Sequence, residues 1–509
     1  MIISVKNLRS LVDSGDIELN DITFFLGQNS SGKSSILRLF PMLRESSRHE
    51  LRGPVLWFDE NYDYGSFASS ISRHCSDGLI TISFAWDKCP DYFESRYSLN
   101  EYIIRQSLEG FHVDMSIAKD GDTVYLKELV IKFKLVTGKN NDVEDDIVVI
   151  FSGKRNNSFD VMINGAPVGS EGLKWRYRSN GLLPSIFPLS SWTVHENMKL
   201  GDDGLALDNV HSMLLFSYAW VFNENHFSMV LSKVSEEKIV LSANELKQDQ
   251  YSVARERLYL NSLNKLLELV DSYLSVYFGQ TFYITPLRYN FQRYMRNRDL
   301  SVDSVESSGK NVMEYILSLD DEELVDFQSF INRTIGITAE VIGEENKSII
   351  IKTKDGEEDN IVDVGYGISQ VLPIATTLWD RAFKKGKPGI PDTIVIEQPE
   401  VHLHPRMQGD LARLFVETLA LAKRKKKKLN IIIETHSSVL INRVGRYIYN
   451  YSHTMHLHSD EGENGDMSKL NPREVSLYLF EKKSGISIVK KTMYNKLGRI
   501  ESWPIGFMD

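Results

Sequence analysis

The sequence has only two cysteines in 509 residues, Cys75 and Cys89. They make no CxxC pair and cannot build a disulfide scaffold, so a reducing compartment is expected. The opening MIISVKNLRS lacks the long apolar core of a signal peptide. The longest apolar stretch, Met213 to Phe222, stops at Asn223-Glu224, far short of the roughly 20 residues a membrane span needs. These absences predict a cytoplasmic protein with no membrane partner. Positive charge is not in excess either: 59 Lys+Arg face 69 Asp+Glu, for a net charge of −10. That excludes a whole-body basic footprint for nucleic acid, though a local patch could still bind it. There is no internal repeat, and no low-complexity segment apart from the run Lys423 to Lys428. What remains is 42% apolar, 25% charged and 10% aromatic, the proportions of a soluble globular chain. Its length calls for at least two structural units.

The first segment alternates apolar residues at Ile2, Ile3 and Val5, then at Ile17 and Leu19, and reaches the buried-type run Ile22 to Leu26. A glycine-rich turn and an apolar-periodic stretch (Ile36, Leu37, Phe40) follow, which predicts strand, loop and helix. From Leu79 to Val168 the pattern is mostly β: Thr81–Phe84, Tyr125-Leu126, Leu129–Phe133 and Ile147–Ile150 are separated by turns such as Asp120-Gly121-Asp122. We expect an antiparallel sheet of short strands there. After Gly204 the character changes. Leu258, Leu260, Leu263, Leu266, Leu267 and Leu269 sit among charged residues, so about 205–278 is expected to be mainly helical. Strand signals return at Phe282–Ile284, Ile349–Ile351, Thr393–Ile396 and Ile431–Ile433. The last two are continuous apolar runs, as in parallel strands buried on both faces. The expected fold class is α/β, with an N-terminal half over 1–204, a helical insertion over 205–280 and a C-terminal half over 281–509. Its central sheet draws strands from both halves.

Gly27-Gln28-Asn29-Ser30-Ser31-Gly32-Lys33-Ser34 matches GxxxxGK[ST] without a gap, between a hydrophobic strand and a helix. The glycines let the backbone curl so that its amides face phosphate oxygens at a helix N-terminus. Lys33 is expected on the β/γ-phosphates and Ser34 on Mg²⁺. The chain therefore reads as binding a nucleoside triphosphate, with Asn29, Ser30, Ser31 and Ser35 in the same cradle. Ile394-Val395-Ile396-Glu397-Gln398-Pro399-Glu400 has the form of a buried strand ending in polar residues. In P-loop ATPases this position supplies an acid to the Mg²⁺ shell, and a second carboxylate beside it commonly polarises the attacking water. Glu397 holds the first place and is expected, with Ser34, at the metal. Gln398 holds the second and cannot accept a proton at neutral pH. Either Glu400 or His436 serves as base, or hydrolysis is slow, and we favour slow hydrolysis. Val364-Gly365-Tyr366-Gly367-Ile368-Ser369-Gln370 precedes a helix and offers a second anion-facing cradle. By itself it reads equally as a helix cap. Ile431-Ile432-Ile433-Glu434-Thr435-His436-Ser437-Ser438 places a histidine just past a buried strand, within reach of a γ-phosphate.

In their order, GQNSSGKSS, VGYGISQ, IEQPEVHLHP and ETHSS resemble the stand-alone ATP-binding-cassette-type (ABC-type) AAA ATPases of bacteria. These are cousins of the chromosome-maintenance and double-strand-break-repair heads, grouped with the overcoming-lysogenization-defect proteins. Tyr283–Arg288 and Trp503–Phe507 also look like that group, so the resemblance spans most of the chain. It implies an ABC-type head with an antiparallel β-subdomain and a helical insertion. Gly27 to Ser35 would be the Walker A loop, and Glu397-Gln398 the Walker B end. Gly365, Gly367 and Ser369 would form the signature contributed by a partner subunit. Val401-His402-Leu403-His404-Pro405 would be the dimer-facing loop and His436 the switch histidine. The cofactors implied are ATP and Mg²⁺, and the assembly a homodimer or higher homo-oligomer. Two departures stand out: Gln398 replaces the usual catalytic Glu, and the signature differs from LSGGQ. Relatives often serve antiviral defence, some with a Toprim nuclease fused after the histidine motif. The stretch after Gly445 is too short for such a domain, so a separate nuclease subunit is expected, with Septu-type and retron-associated ATPases and their HNH-type nucleases as the model. The alternative is a DNA-processing or repair ATPase acting directly on DNA.

Weaker features carry blander readings. Lys423 to Lys428 could touch nucleic acid or an acidic partner, but fits a solvated helix end that complements the dipole. Arg288, Arg293, Arg296 and Arg298 interleave with Tyr289, Phe291 and Tyr294, a pattern able to grip single strands or to form a surface turn. His453, His456 and His458 lack the companion ligands of a metal site. His402 and His404 alternate at strand-like spacing and are read as interface residues.

Overall fold

The computed structural model describes residues 1–87, 108–137, 142–143, 147–168, 174–177, 181–187, 267–296, 301–384, 386, 389–454 and 470–501. Cys89, most of the helical insertion, Arg298, His456, His458 and Trp503–Phe507 lie outside those residues. Of the 205–280 segment, residues 267–280 are described, and 267–279 form a helix.

Five strands run parallel at the heart of the fold. The loop strand Ile22–Gly27 pairs on one edge with Leu429–Glu434 and on the other with Val475–Lys483. Leu429–Glu434 continues to the acidic strand Asp392–Glu397, which pairs in turn with Thr281–Ile284. The central sheet is therefore assembled from both halves of the chain, as the apolar runs predict. Period-2 alternation splits each strand between two cores. Ile22, Phe24 and Leu26, with Ile394, Ile396, Ile431 and Ile433, face one core. That core is covered by helices Tyr366–Phe383, Pro405–Arg424 and Ser438–Thr454. Phe25, Val395 and Ile432 face the other, with helix Leu39–Arg48 and the 267–279 helix.

The β-rich region extends this same sheet. Val475–Lys483 folds back on Ile486–Thr492, which meets Leu11–Asp13 in parallel. Ile2–Leu8 then leads to an antiparallel wing through Ile80–Trp86. The strands of the wing are not all short. Leu108–Asp120 and Thr123–Thr137 form one long hairpin around Gly121, whose φ is 57°. A register shift at Ser116/Ile117 lets the pairing run past the point where the alternation breaks. Ile349–Ile351 belongs instead to a separate antiparallel sheet, in strand Asn346–Thr353.

Trp379 anchors the helical face. Its ring stacks on Phe383 at 4.9 Å and meets Phe327 edge-on at 5.2 Å, and its Nε1 donates to Asp326 Oδ1 at 2.7 Å. Trp379→Ala is expected to lower unfolding free energy by about 3–5 kcal/mol. Val325→Ala, at a residue 71% exposed, should stay within about 0.5 kcal/mol of wild type. Chemical denaturation with equal midpoints for the two variants would contradict this placement of the core.

Candidate active site

The loop strand ends at Gly27, whose φ is 142° and where a Cβ would lie 2.1 Å from the carbonyl oxygen of Phe480. Only glycine fits between these paired backbones. The chain then turns through Ser30 (φ 59°) and Gly32 (φ 96°) into helix Lys33–Leu37. A cavity of about 830 Å³ opens over this turn. Asn29, Ser30, Ser31, Gly32, Lys33, Ser34 and Ser35 all line it, and Gln398 and Glu434 reach it from the neighbouring strand ends. Arg9, Arg73, His74 and Lys482 also form its wall, four basic side chains that local patterning did not single out.

Lys33 is buried. Its Nζ donates to the carbonyls of Gly27 (3.0 Å) and Gln28 (2.7 Å) and lies 3.7 Å from Glu434 Oε1. Burial lowers the pKa of the amine, while Glu434 and, more weakly, Glu400 and Glu397 pull it back up. Ser34 Oγ donates to Glu434 Oε2 at 2.8 Å. Burial, then the charge of Glu397, pushes the Glu434 carboxyl up to about 7, against the pull of Lys33. The sheet register explains the pair: Glu397 and Glu434 are Cα partners on adjacent parallel strands, so both project to the face carrying the loop helix.

Glu397 is engaged elsewhere. Arg38, just after the loop helix, grips it in a fork, Nη2 to Oε1 at 2.7 Å and Nε to Oε2 at 3.1 Å. The hydroxyl of Tyr283 also donates to Oε2. Burial works against the Arg38 charge, but the Glu397 pair outweighs it and holds the guanidinium above its ordinary pKa. The carboxylate resting on Ser34 is therefore that of Glu434. The signal for it was in the sequence: Ile394–Ile396 and Ile431–Ile433 are both capped by a glutamate. Nothing local marked Arg38 or Tyr283.

Gln398 adopts φ 46°, its backbone N–H donating to the Glu434 backbone carbonyl at 2.9 Å. Arg288 backs the turn, its Nη2 donating to the Gln398 carbonyl at 3.3 Å and to that of Glu397 at 3.5 Å. Burial lowers the Arg288 guanidinium to about 10, with Glu400 opposing. Glu400 accepts from the His436 backbone N–H at 2.6 Å, and burial raises its carboxyl. The His436 ring is pushed down to about 4 by burial and then by Lys33, and its Nε2 is buried without a partner. Neither Glu400 nor His436 lines the cavity.

Gly365, Gly367 and Ser369 also lie outside this cavity. Gly365 (φ 90°) caps helix Tyr366–Phe383, and Ser369 Oγ bonds the Tyr366 carbonyl at 2.7 Å. Half-exposed Tyr366 meets His402 edge-on at 5.2 Å, so the two turns share one surface. His402 sits in a turn at φ 64° rather than in a strand, and His404 caps the helix that Pro405 opens. The proline at N1 and the Nδ1 acceptor set that boundary, overriding the alternation. The lysine run is partly tied down: Lys423 pairs with Glu474 and Lys427 with Asp392. His453 stacks on Tyr449. Among the described residues no cluster of three or more His, Cys, Asp or Glu could hold a metal by itself, and no helix is long and apolar enough to cross a membrane.

The residues present suit a nucleotide with its metal. The Ser31 hydroxyl is buried with no hydrogen-bond partner, a donor in the loop that should wrap phosphate. Ser34 Oγ and the Glu434 carboxylate are the hard oxygen donors that Mg²⁺ takes, beside phosphate and water.

The family model for the AAA ATPase domain matches residues 192–441, which include the acidic strand, the Gly365 turn and the strand ending in Glu434. No curated protein matches the chain. Among solved structures, the SMC head domain from Thermotoga maritima is 11% identical, with 96% of this chain and 97% of that chain covered and a TM-score of 0.33. The SmcHead bound to the C-winged helix domain of ScpA has the same identity and coverages, with a TM-score of 0.36. The Smc head domain with a coiled coil and joint from Pyrococcus yayanosii is also 11% identical, covering 97% of each chain at 0.33. At these scores the likeness says nothing of what this chain does.

The raised Glu434 carboxyl gives a pH prediction. Its ordinary value is 4.5 and its folded value about 7, so between them the native state binds more protons than the unfolded one. Stability attributable to this group is present at low pH and lost as pH rises through that window. Without nucleotide, the melting temperature of Glu434→Gln should gain on wild type from pH 5 to pH 8. Parallel melting curves across that range would contradict the burial described.

Proposed function

We propose that this chain is a P-loop ATPase of the broad AAA and ABC class, a reading supported by the phosphate loop and by the match of residues 192–441 to the AAA ATPase domain, and that it works as a slowly hydrolysing, ATP-held switch. The observation that carries this reading is Gln398. It occupies the strand end over the phosphate loop where a proton-accepting carboxylate would stand, and an amide cannot take a proton from water. Among the cavity's described lining residues the sole carboxylate is Glu434, already set against Ser34 and Lys33. Glu397 is held by Arg38, and Glu400 and His436 stand back from the cavity. Gln398 can still orient a water by hydrogen bonding, as a glutamine does in small GTPases.

The Gly365 turn supports a site completed by a second copy. It lies outside its own chain's phosphate cavity and shares a surface with His402 and Tyr366. ATP would then act as the contact between subunits. The motif resemblance supports placing this switch in bacterial antiphage defence, as the sensor or scaffold of a separate HNH-type nuclease. A second reading, direct action on DNA, is favoured by the basic and aromatic stretch from Tyr289 to Arg296, where Tyr294 is 63% exposed.

Gln398→Glu should raise single-turnover hydrolysis by about tenfold or more, within the range of general-base catalysis. An unchanged rate would sink the slow-switch reading. The same assay with added DNA separates the roles, since DNA-stimulated turnover supports the second.

A further inference from the structure

We propose that Arg288 is a positioning residue for hydrolysis: bonded to the Gln398 carbonyl, it locks the turn that aims the side chain at position 398 over the phosphate loop. The inference rests on the ATPase reading above.

Burial of the guanidinium is the first ground. Arg288 follows the edge strand Thr281–Ile284 in a loop pinned on both sides of it. Thr285 N–H donates to the Ser307 carbonyl at 3.1 Å, and Tyr289 N–H to that of Ser308 at 2.8 Å. Between the pins Leu287 is 79% exposed and Arg288 only 6%. The loop turns an apolar side chain out and a cation in, the reverse of what solvation favours. That cation bonds main chain alone: Nη2 donates to the Gln398 and Glu397 carbonyls, while Nε and Nη1 are buried without a partner. Glu400 supplies the opposing charge from further off. Its Oε1 accepts from the His436 backbone N–H at 2.6 Å, so that charge is itself tied to the turn after the neighbouring strand.

The Gln398 turn is the second ground. A residue other than glycine keeps φ 46° only where its surroundings fix it. Two bonds do so here, one at each end of the residue. Its backbone N–H donates to the Glu434 carbonyl, and its carbonyl accepts from Arg288 at 3.3 Å. The first bond is main chain to main chain, whereas the second depends on one side chain. Once that bond is lost the turn can relax, and a displacement of about 1 Å at a group that orients a reactant can cost about a hundredfold in rate. Arg288 does not line the phosphate cavity, so its influence passes through Gln398.

The test uses the full chain. Single-turnover hydrolysis at saturating Mg²⁺–ATP and affinity for a fluorescent ATP analogue are measured in the wild-type and Gln398→Ala backgrounds. Arg288→Met should lower the wild-type rate by about tenfold or more and keep the affinity within about twofold. In Gln398→Ala the same substitution should change the rate by less than about twofold, because the side chain it positions is gone. Arg288→Lys, which keeps one donor for the carbonyl, should lose less and again only in the wild-type background. It decides the matter if Arg288→Met does not fold. A loss of equal size in both backgrounds, or no loss in wild type, overturns the proposal. Wild-type protein that neither binds the analogue nor releases phosphate removes the ATPase reading itself.

Discussion

The phosphate loop depends on the loop strand being hydrogen-bonded along both edges by strands from the far end of the chain. Gly27 is pressed against the Phe480 backbone, and Ser34 rests on Glu434, 400 residues away in sequence. A local strand-loop-helix unit has neither contact. The nucleotide site therefore comes into being only when the second half of the chain has closed onto the first, a topology of high contact order. The same in-register pairing that closes the sheet also sets two glutamates side by side. Like charges at that spacing need cations, and the segment after the loop supplies both, Lys33 and Arg38.

Much of this architecture could be read from residues alone. The gapless GxxxxGKS between an apolar strand and an apolar helix specified the loop, and continuous isoleucine runs specified parallel buried strands. The runs at Ile394 and Ile431 also indicated a central sheet shared by both halves. What could not be read was pairing. Which glutamate lies nearer Ser34 depends on strand order, and strand order is not written in either strand's own pattern. Arg38 and Tyr283 are legible as helix and strand residues, yet their convergence on Glu397 is a tertiary fact. His402 and His404 alternate at strand-like spacing, but a proline at N1 and a histidine cap make a turn and a helix start there. Alternation split the strand Thr123–Thr137 into two, because a register shift opposite Ser116/Ile117 interrupts the pattern without ending the pairing.

The site is rich in cations, with Glu434 the sole carboxylate among the described residues lining the cavity. Lys33 is folded onto its own loop carbonyls and Glu434, Ser31 has no partner, and His436 is held neutral by burial. A triphosphate would redirect Lys33 and satisfy Ser31. Gln398, an amide braced by Arg288 in a left-handed turn, lines the same cavity. That amide supports the proposed slow turnover, and the Gly365 turn, outside the cavity, supports the proposed contact with a second copy. In the switch we propose, the bound nucleotide, rather than its cleavage, carries the signal.

The most direct test of that claim is the identity of the nucleotide retained by the full chain after prolonged incubation with Mg²⁺–ATP, read by chromatography alongside the size of the assembly. The account predicts intact ATP, close to one per chain, held in a stable oligomer. Retained ADP with continuing phosphate release would contradict it, and would mean that another group serves as the base.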